Sequence, residues 1–261
     1  MKNAFLIIDA QYDFCHPDGA LFVPGAEQDI ERMATLIRQH TDQIDNIVVT
    51  LDTHHILDIA HPLFWHDAAG KNPAPFTQIT GVDIDSEKWI PRFAPDKAIK
   101  YVHDLEADGQ FTHFIWPEHC LIGSRGAALH DTLFTALKEW SKQRELDYLA
   151  VPKGLYSLSE HFGIFQAQVP DPAIPETQLN TSLIADLARF DTVYLMGEAK
   201  SHCVANSLKQ LLDFAPELVS KLVVVTDCMS DVTGLGYLGD PIYAEAQARH
   251  VRFMPSDAIF N

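Results

Sequence analysis

The chain has 261 residues, 36 acidic against 19 basic side chains and a formal charge of −17; 47% hydrophobic and 21% charged residues make it an ordinary globular composition. Such acidity, with no clustered Lys and Arg, argues against a phosphate-binding face and sets nucleic acid aside as a partner. The longest apolar runs, Ala4 to Ile8 and Leu222 to Val225, fall far short of the roughly 18 residues a membrane helix needs. Taken in chain order, Ala4 to Ile8 reads as a buried strand, and Ile30, Met33, Ala34 and Ile37 mark one face of a helix. Ile47 to Leu51 is a second strand. Phe114-Ile115 reads as a short strand edge, Ala127 to Trp140 as a helix and Tyr148 to Val151 as a strand. Leu183, Leu187 and Ala188 suit a helix before the strand Thr192 to Met196. A helix from His202 to Leu212, a strand Leu222 to Thr226, a helix near Ile242 to His250 and a strand Val251 to Phe253 complete the series.

This alternation predicts a doubly wound, mostly parallel α/β sheet flanked by helices on both faces. Residues 53 to 111 and 154 to 178 break the rhythm and read as long functional loops inserted into one domain spanning 1 to 261. The amino terminus enters a strand-like run directly, as mature protein does. Cys15, Cys120, Cys203 and Cys228 are too few and too scattered for a disulfide framework, which points to a reducing, cytoplasmic compartment.

In open α/β sheets ligands bind beyond the carboxyl ends of the strands. The residues there are Asp9 after the first strand, Asp52 and His54 after the second, Lys153 after the strand at Tyr148, and Gly197-Glu198-Ala199-Lys200-Ser201-His202-Cys203 after the strand at Thr192. No glycine-rich phosphate loop follows the first strand, so a dinucleotide role is excluded. Cys203 at the start of a helix is expected to gain thiolate character from the helix end. With Asp9 as proton acceptor and Lys153 as orienting cation it makes a nucleophile with its supporting groups. Asp52-Thr53-His54 puts two side chains on the same side of an extended segment, as two ligands of one ion require. The third ligand comes from His61, His66 or His119. His16, His55 and His202 read as solvated loop histidines, and Cys15 and Cys228 as packed thiols.

Together these motifs resemble the isochorismatase-like cysteine hydrolases, and within them the nicotinamidases. The resemblance runs from Phe5 to about Ser230. It rests on Ile8-Asp9-Ala10-Gln11-Tyr12-Asp13-Phe14, Asp52-Thr53-His54, Trp116-Pro117-Glu118-His119-Cys120, Val151-Pro152-Lys153-Gly154 and Gly197 to Val204. It implies a catalytic triad of Asp9, Lys153 and Cys203, and one divalent metal, zinc with iron or manganese as alternatives, on Asp52, His54 and His119. It also implies Phe14 and Trp116 flanking a flat substrate, and a cis peptide at Glu198-Ala199 that turns the Ala199 and Cys203 N–H groups towards an oxyanion. The implied activity is hydrolysis of nicotinamide to nicotinate and ammonia in NAD salvage, with a small-molecule amide as partner and a homo-oligomer as a reasonable state. Thr53 and His55 stand where typical nicotinamidases have an aromatic residue and a proline. His61 is left open as the counterpart of the extra histidine some members add to the metal shell. Segments 62 to 111 and 155 to 178 look extended. A related amidase for another small amide or heteroaromatic, and a noncatalytic metal- or ligand-binding relative, are the alternatives.

Overall fold

A computed structural model describes residues 1–107 and 112–260; residues 108 to 111, at the end of the irregular segment expected over 53 to 111, and Asn261 lie outside the described residues. The elements begin with β1 (Asn3–Ile8), α1 (Tyr12–Cys15), α2 (Ala26–Gln39) and β2 (Asn46–Asp52). Next come β3 (Trp65–His66), β4 (Gln78–Ile79), α3 (Gly81–Asp85), β5 (Ile90–Pro91), α4 (Pro95–Ala107) and β6 (His113–Phe114). The remainder is α5 (Asp131–Arg144), β7 (Leu149–Lys153), α6 (Thr181–Leu187), β8 (Thr192–Gly197), α7 (Ala205–Phe214), β9 (Leu222–Val225), α8 (Asp240–Ala248) and β10 (Arg252–Met254).

Six strands form one parallel sheet in the order β10-β9-β8-β1-β2-β7. The alternation of side chains along each strand divides the core in two. Phe5 and Ile7 of β1, with Val49 and Met196, pack under Ile30, Met33 and Ile37 of α2 and Leu137 and Trp140 of α5. Ala4, Leu6 and Ile8, with Val48 and Leu195, pack on the opposite side against Leu183 and Leu187 of α6, Leu208 and Leu211 of α7 and Ala246 of α8. The doubly wound architecture expected from the sequence is therefore observed. Among the described residues no helix is long and apolar enough to cross a membrane.

Three expectations are corrected. The helix expected from Ala127 begins at Asp131, because Leu129 forms an antiparallel bridge with Gln11 and Ala128 O accepts from Tyr12 N at 2.8 Å, committing this backbone to the turn after β1. The strand at Phe114 pairs with β4, outside the central sheet. Residues 53 to 107 are not structureless: β3 pairs with β5, and α4 lays Ala98, Tyr101, Val102 and Leu105 onto Phe64, Trp65, Ile79 and Ile115 in a third hydrophobic cluster. That i, i+3, i+4, i+7 spacing is a helical signal, and Pro95 supplies a suitable first residue. The segment 154 to 178 is irregular apart from the 3₁₀ turn Pro175–Thr177.

The end of β8 lies hard against the end of β1. Gly197 has φ +117°, and a Cβ there would sit 2.1 Å from Ile8 O. Only glycine allows both the backbone angle and the approach. Gly197→Ala is expected to cost about 3 kcal/mol through strain and overpacking, read as a lower midpoint in urea denaturation; an unchanged midpoint would show that the two strand ends can separate freely.

Candidate active site

The parallel strands deliver their carboxyl ends to one rim, and four chemistry-bearing side chains meet there. Asp9 follows β1 with φ +41°, a left-handed conformation rare for a residue other than glycine and typical of functional positions. Thr50 of β2 holds it: Asp9 N donates to Thr50 Oγ1 at 2.9 Å, and that hydroxyl donates to Asp9 Oδ1 at 2.6 Å. Asp52 and Lys153 close β2 and β7 as register partners. Lys153, 2% exposed, places Nζ 3.0 Å from Asp9 Oδ2, 2.8 Å from Asp52 Oδ1 and 3.6 Å from Cys203 Sγ. The structure thus brings Asp9, Lys153 and Cys203 together.

Burial pulls the Lys153 ammonium down, but Asp52 and Asp9 outweigh it and hold the group well above the ordinary lysine value. Burial likewise pushes Asp52 up, and Lys153 and His54 override it to hold this carboxylate well below the usual range. Asp9 is different: burial raises it and Lys153 offsets only part of the rise. Burial also pushes the Cys203 thiol well above 9.0, against the pull of Lys153 and with Asp9 adding to the rise. Thiolate character from a helix end, expected from the sequence, is therefore corrected. Cys203 lies inside a π turn, Lys200–Val204, that precedes α7, and desolvation dominates. Desolvation thus favours the neutral thiol at Cys203, beside an aspartate, Asp9, whose carboxyl burial has also pushed up.

A second cluster shares Asp52. Its Oδ2 lies 3.0 Å from His54 Nε2 and 3.3 Å from His119 Nε2. His61 completes the group, with Nε2 3.3 Å from His119 Nδ1, and one donor atom from each of the three histidines falls within 4.8 Å of the others. All four residues are buried. His54 Nδ1 faces Asp58 Oδ2 at 3.2 Å and His119 Nδ1 faces Pro117 O at 2.8 Å. In the tautomer with the proton on Nδ1, each ring would present its Nε2 lone pair towards Asp52, the outer-sphere arrangement that prepares histidines for a metal. Buried Asp52 and Asp58 overcome burial to raise His54 well above its ordinary value, so this pocket favours positive charge. Burial, with His54 and His119 adding to it, lowers His61 to about 2, keeping this imidazole neutral. Donor set, burial and charge fit a divalent cation. Of the three histidines left open by spacing, His61 and His119 join His54, while His66 bonds Asp67 O on β3.

Between the two clusters lies a pocket walled by Phe14, Trp116, Phe162, Ala199 and His202, with Cys203 at its base. Phe14 sits on α1, which Asp13 anchors by accepting from Cys120 N at 2.7 Å and Ala20 N at 3.0 Å. The Glu198-Ala199 peptide is cis, as the resemblance implies.

Several participants escape the sequence reading. Gln11 clamps the Asp52 backbone from both sides, accepting from Asp52 N at 2.7 Å and donating to Asp52 O at 2.8 Å. Asp58 stands four residues after His54, a spacing that could have signalled a partner for it. His202, read as a solvated loop histidine, is a buried pocket wall set perpendicular to Trp116, and burial lowers it to about 4. Glu160, from the irregular segment, is 5% exposed, lines the pocket and leaves Oε1 without a hydrogen bond; burial pushes it up to about 8. Neither of these last two carries a local sequence signal.

No protein-family model matches the chain, and no curated protein matches it by sequence. Solved structures do match along nearly its full length. The yeast nicotinamidase aligns at 19% identity over 97% of this chain and 99% of its own, with a TM-score of 0.65. The pyrazinamidase of Pyrococcus horikoshii, in complex with zinc, aligns at 17% over 98% and 99% with a TM-score of 0.56. An isochorismatase-like hydrolase from Alkaliphilus metalliredigens aligns at 16% over 98% and 96% with a TM-score of 0.55. The chain therefore has the isochorismatase-like α/β fold, the fold of the nicotinamidases and pyrazinamidases.

Metal analysis of purified variants tests the histidine cluster. His119→Ala and His61→Ala should each lower the metal-to-protein ratio, and Asp58→Ala should weaken metal affinity by about 10- to 100-fold through loss of the carboxylate behind His54. An unchanged ratio in His119→Ala would remove that residue from the ligand set.

Proposed function

We propose that the protein is a metal-dependent cysteine amidohydrolase that converts nicotinamide to nicotinate and ammonia through a thioester. The observation that carries this reading is the convergence of Asp9, Lys153 and Cys203 beside a buried three-histidine cluster that shares Asp52 with them. The structural neighbours, two of them a nicotinamidase and a pyrazinamidase, support it.

In this reading Asp9 accepts the Cys203 proton as sulfur attacks the carboxamide carbon, while the Lys153 ammonium stabilises both the forming thiolate and the aligned carboxylate. Ala199 and Cys203 N–H groups bind the resulting oxyanion, each donor contributing about 2.7–4 kcal/mol in enzymes of this kind. Asp9 returns the proton to the departing ammonia. It then takes a proton from the water that attacks the thioester and passes it to the Cys203 sulfur as the C–S bond breaks, and the acid leaves a pocket already rich in carboxylates. Phe14 and Trp116 hold the flat ring between them. Asp52, His54, His61 and His119 would hold a divalent ion, zinc as in the Pyrococcus neighbour with iron or manganese suited to the same donors, which would supply Lewis acidity to anchor the ring nitrogen. The four buried free cysteines suit a reducing, cytoplasmic setting.

Two measurements test the chemistry. Cys203→Ala should abolish ammonia release from nicotinamide while leaving the circular dichroism spectrum and metal content as in the parent; parent-like turnover would exclude the covalent route. The acid limb of kcat/KM should lie above 3.8, the ordinary aspartate value, because the base form of Asp9 is needed and its pKa is raised. Activity therefore rises with pH through that limb, and a profile flat down to 3.8 would exclude Asp9 as the base.

A further inference from the structure

A second chamber adjoins the pocket. The inner pocket leaves only about 30 Å³ free, so a ring, and any arm reaching the chamber, fits only when the aromatic walls between them turn aside. The outer chamber is preformed at about 230 Å³, more than the 150 Å³ of a cavity known to take one benzene ring. Trp116, Phe162 and His202 line both, so the two adjoin. Trp116 and His202 meet at 88° with centroids 5.2 Å apart, and Phe162 faces His202 at 5.9 Å, so these three rings stand between them.

Beyond these rings the lining is aromatic with a polar margin. Phe114 stacks on Trp116 at 5.7 Å, Tyr237 stands at the mouth 63% exposed, and Gln78 and Thr112 offer hydrogen-bonding groups. Gln78 and Phe114 come from β4 and β6, Phe162 from the segment 154 to 178, and Tyr237 from the turn after β9. Asp9, Lys153, Cys203 and Ala199 are absent from the described lining of the chamber. It therefore extends from the ring-holding side of the pocket, at Trp116, rather than from the reacting amide.

We propose that this chamber is a substrate subsite, and that the preferred substrate is a primary carboxamide on a ring that bears an aromatic or heteroaromatic arm. The proposal rests on the amidohydrolase reading and narrows its substrate class. The bond changes are those of the simple amide: the C–N bond breaks, water adds OH to the acyl carbon and H to the leaving nitrogen, and the arm remains on the acid product.

Steady-state hydrolysis of nicotinamide, a phenyl-substituted nicotinamide and N-benzylnicotinamide tests this, alongside calorimetric binding of the same three to Cys203→Ala protein. The phenyl-substituted amide should show a KM or Kd about three- to tenfold lower than nicotinamide, the scale of one aromatic contact. Tyr237→Ala, at an exposed position, should erase that advantage and leave nicotinamide unchanged. Turnover of nicotinamide without tighter binding of the phenyl-substituted amide would overturn the subsite and spare the amidase reading. Preference for the N-benzyl amide would overturn its placement on the ring side. If no amide is hydrolysed, the amidase reading fails; tight, Tyr237-dependent binding of the phenyl compound would still support the chamber, and its absence would overturn that too.

Discussion

One buried ammonium group organises this molecule. Lys153 sits where water cannot solvate it, and a buried charge persists only when opposite charges and hydrogen bonds surround it. Asp9 and Asp52 supply them from two adjacent strands, and Cys203 approaches from the turn after a third. This requires β7 to end beside β2 in the observed register, with Asp52 opposite Lys153. It also requires β8 to press against β1, which the glycine at 197 permits. Removing the ammonium would leave two carboxyl groups facing each other in a dry pocket, so the geometry of the candidate site and local folding depend on the same contact.

Asp52 joins the two halves of the site by dividing its oxygens. Oδ1 faces the lysine and Oδ2 faces the imidazoles of His54 and His119. Its backbone is locked by the two hydrogen bonds of Gln11, so the carboxylate is aimed from behind as well as from both sides. Positive charge on one side is felt on the other through this one group. Of the two carboxyls on Lys153, Asp9 is the one left with a raised pKa, as the proposed role of proton acceptor requires.

The parallel sheet was legible because β1, β8 and β9 are buried on both faces and therefore read as unbroken apolar runs. Asp9, Lys153 and Cys203 were legible because strand ends converge in such sheets whatever lies between them. What stayed open or escaped depends on long-range contacts. His61 becomes a neighbour of His119 only when residues 58 apart in sequence fold together. Glu160 and His202 gain meaning from the walls around them, and the Cys203 thiol reverses its expected direction because burial, invisible in a heptapeptide, exceeds the local helix effect. Helix α4 was a different omission: its apolar spacing was present, and the surrounding Pro, Asp and His residues masked it.

The third hydrophobic cluster gives the molecule two separable levels of stability. Phe64, Trp65, Tyr101 and Leu105 pack among themselves rather than into the sheet cores, and this same layer is continuous with Ile115, next to Trp116 of the pocket wall. Regions with their own core open as cooperative units at free energies below global unfolding. The layer of α4 and β4 can therefore open locally while the strand ends beneath it stay folded. Amide hydrogen exchange in α4 and β4 would then report that opening separately from the sheet.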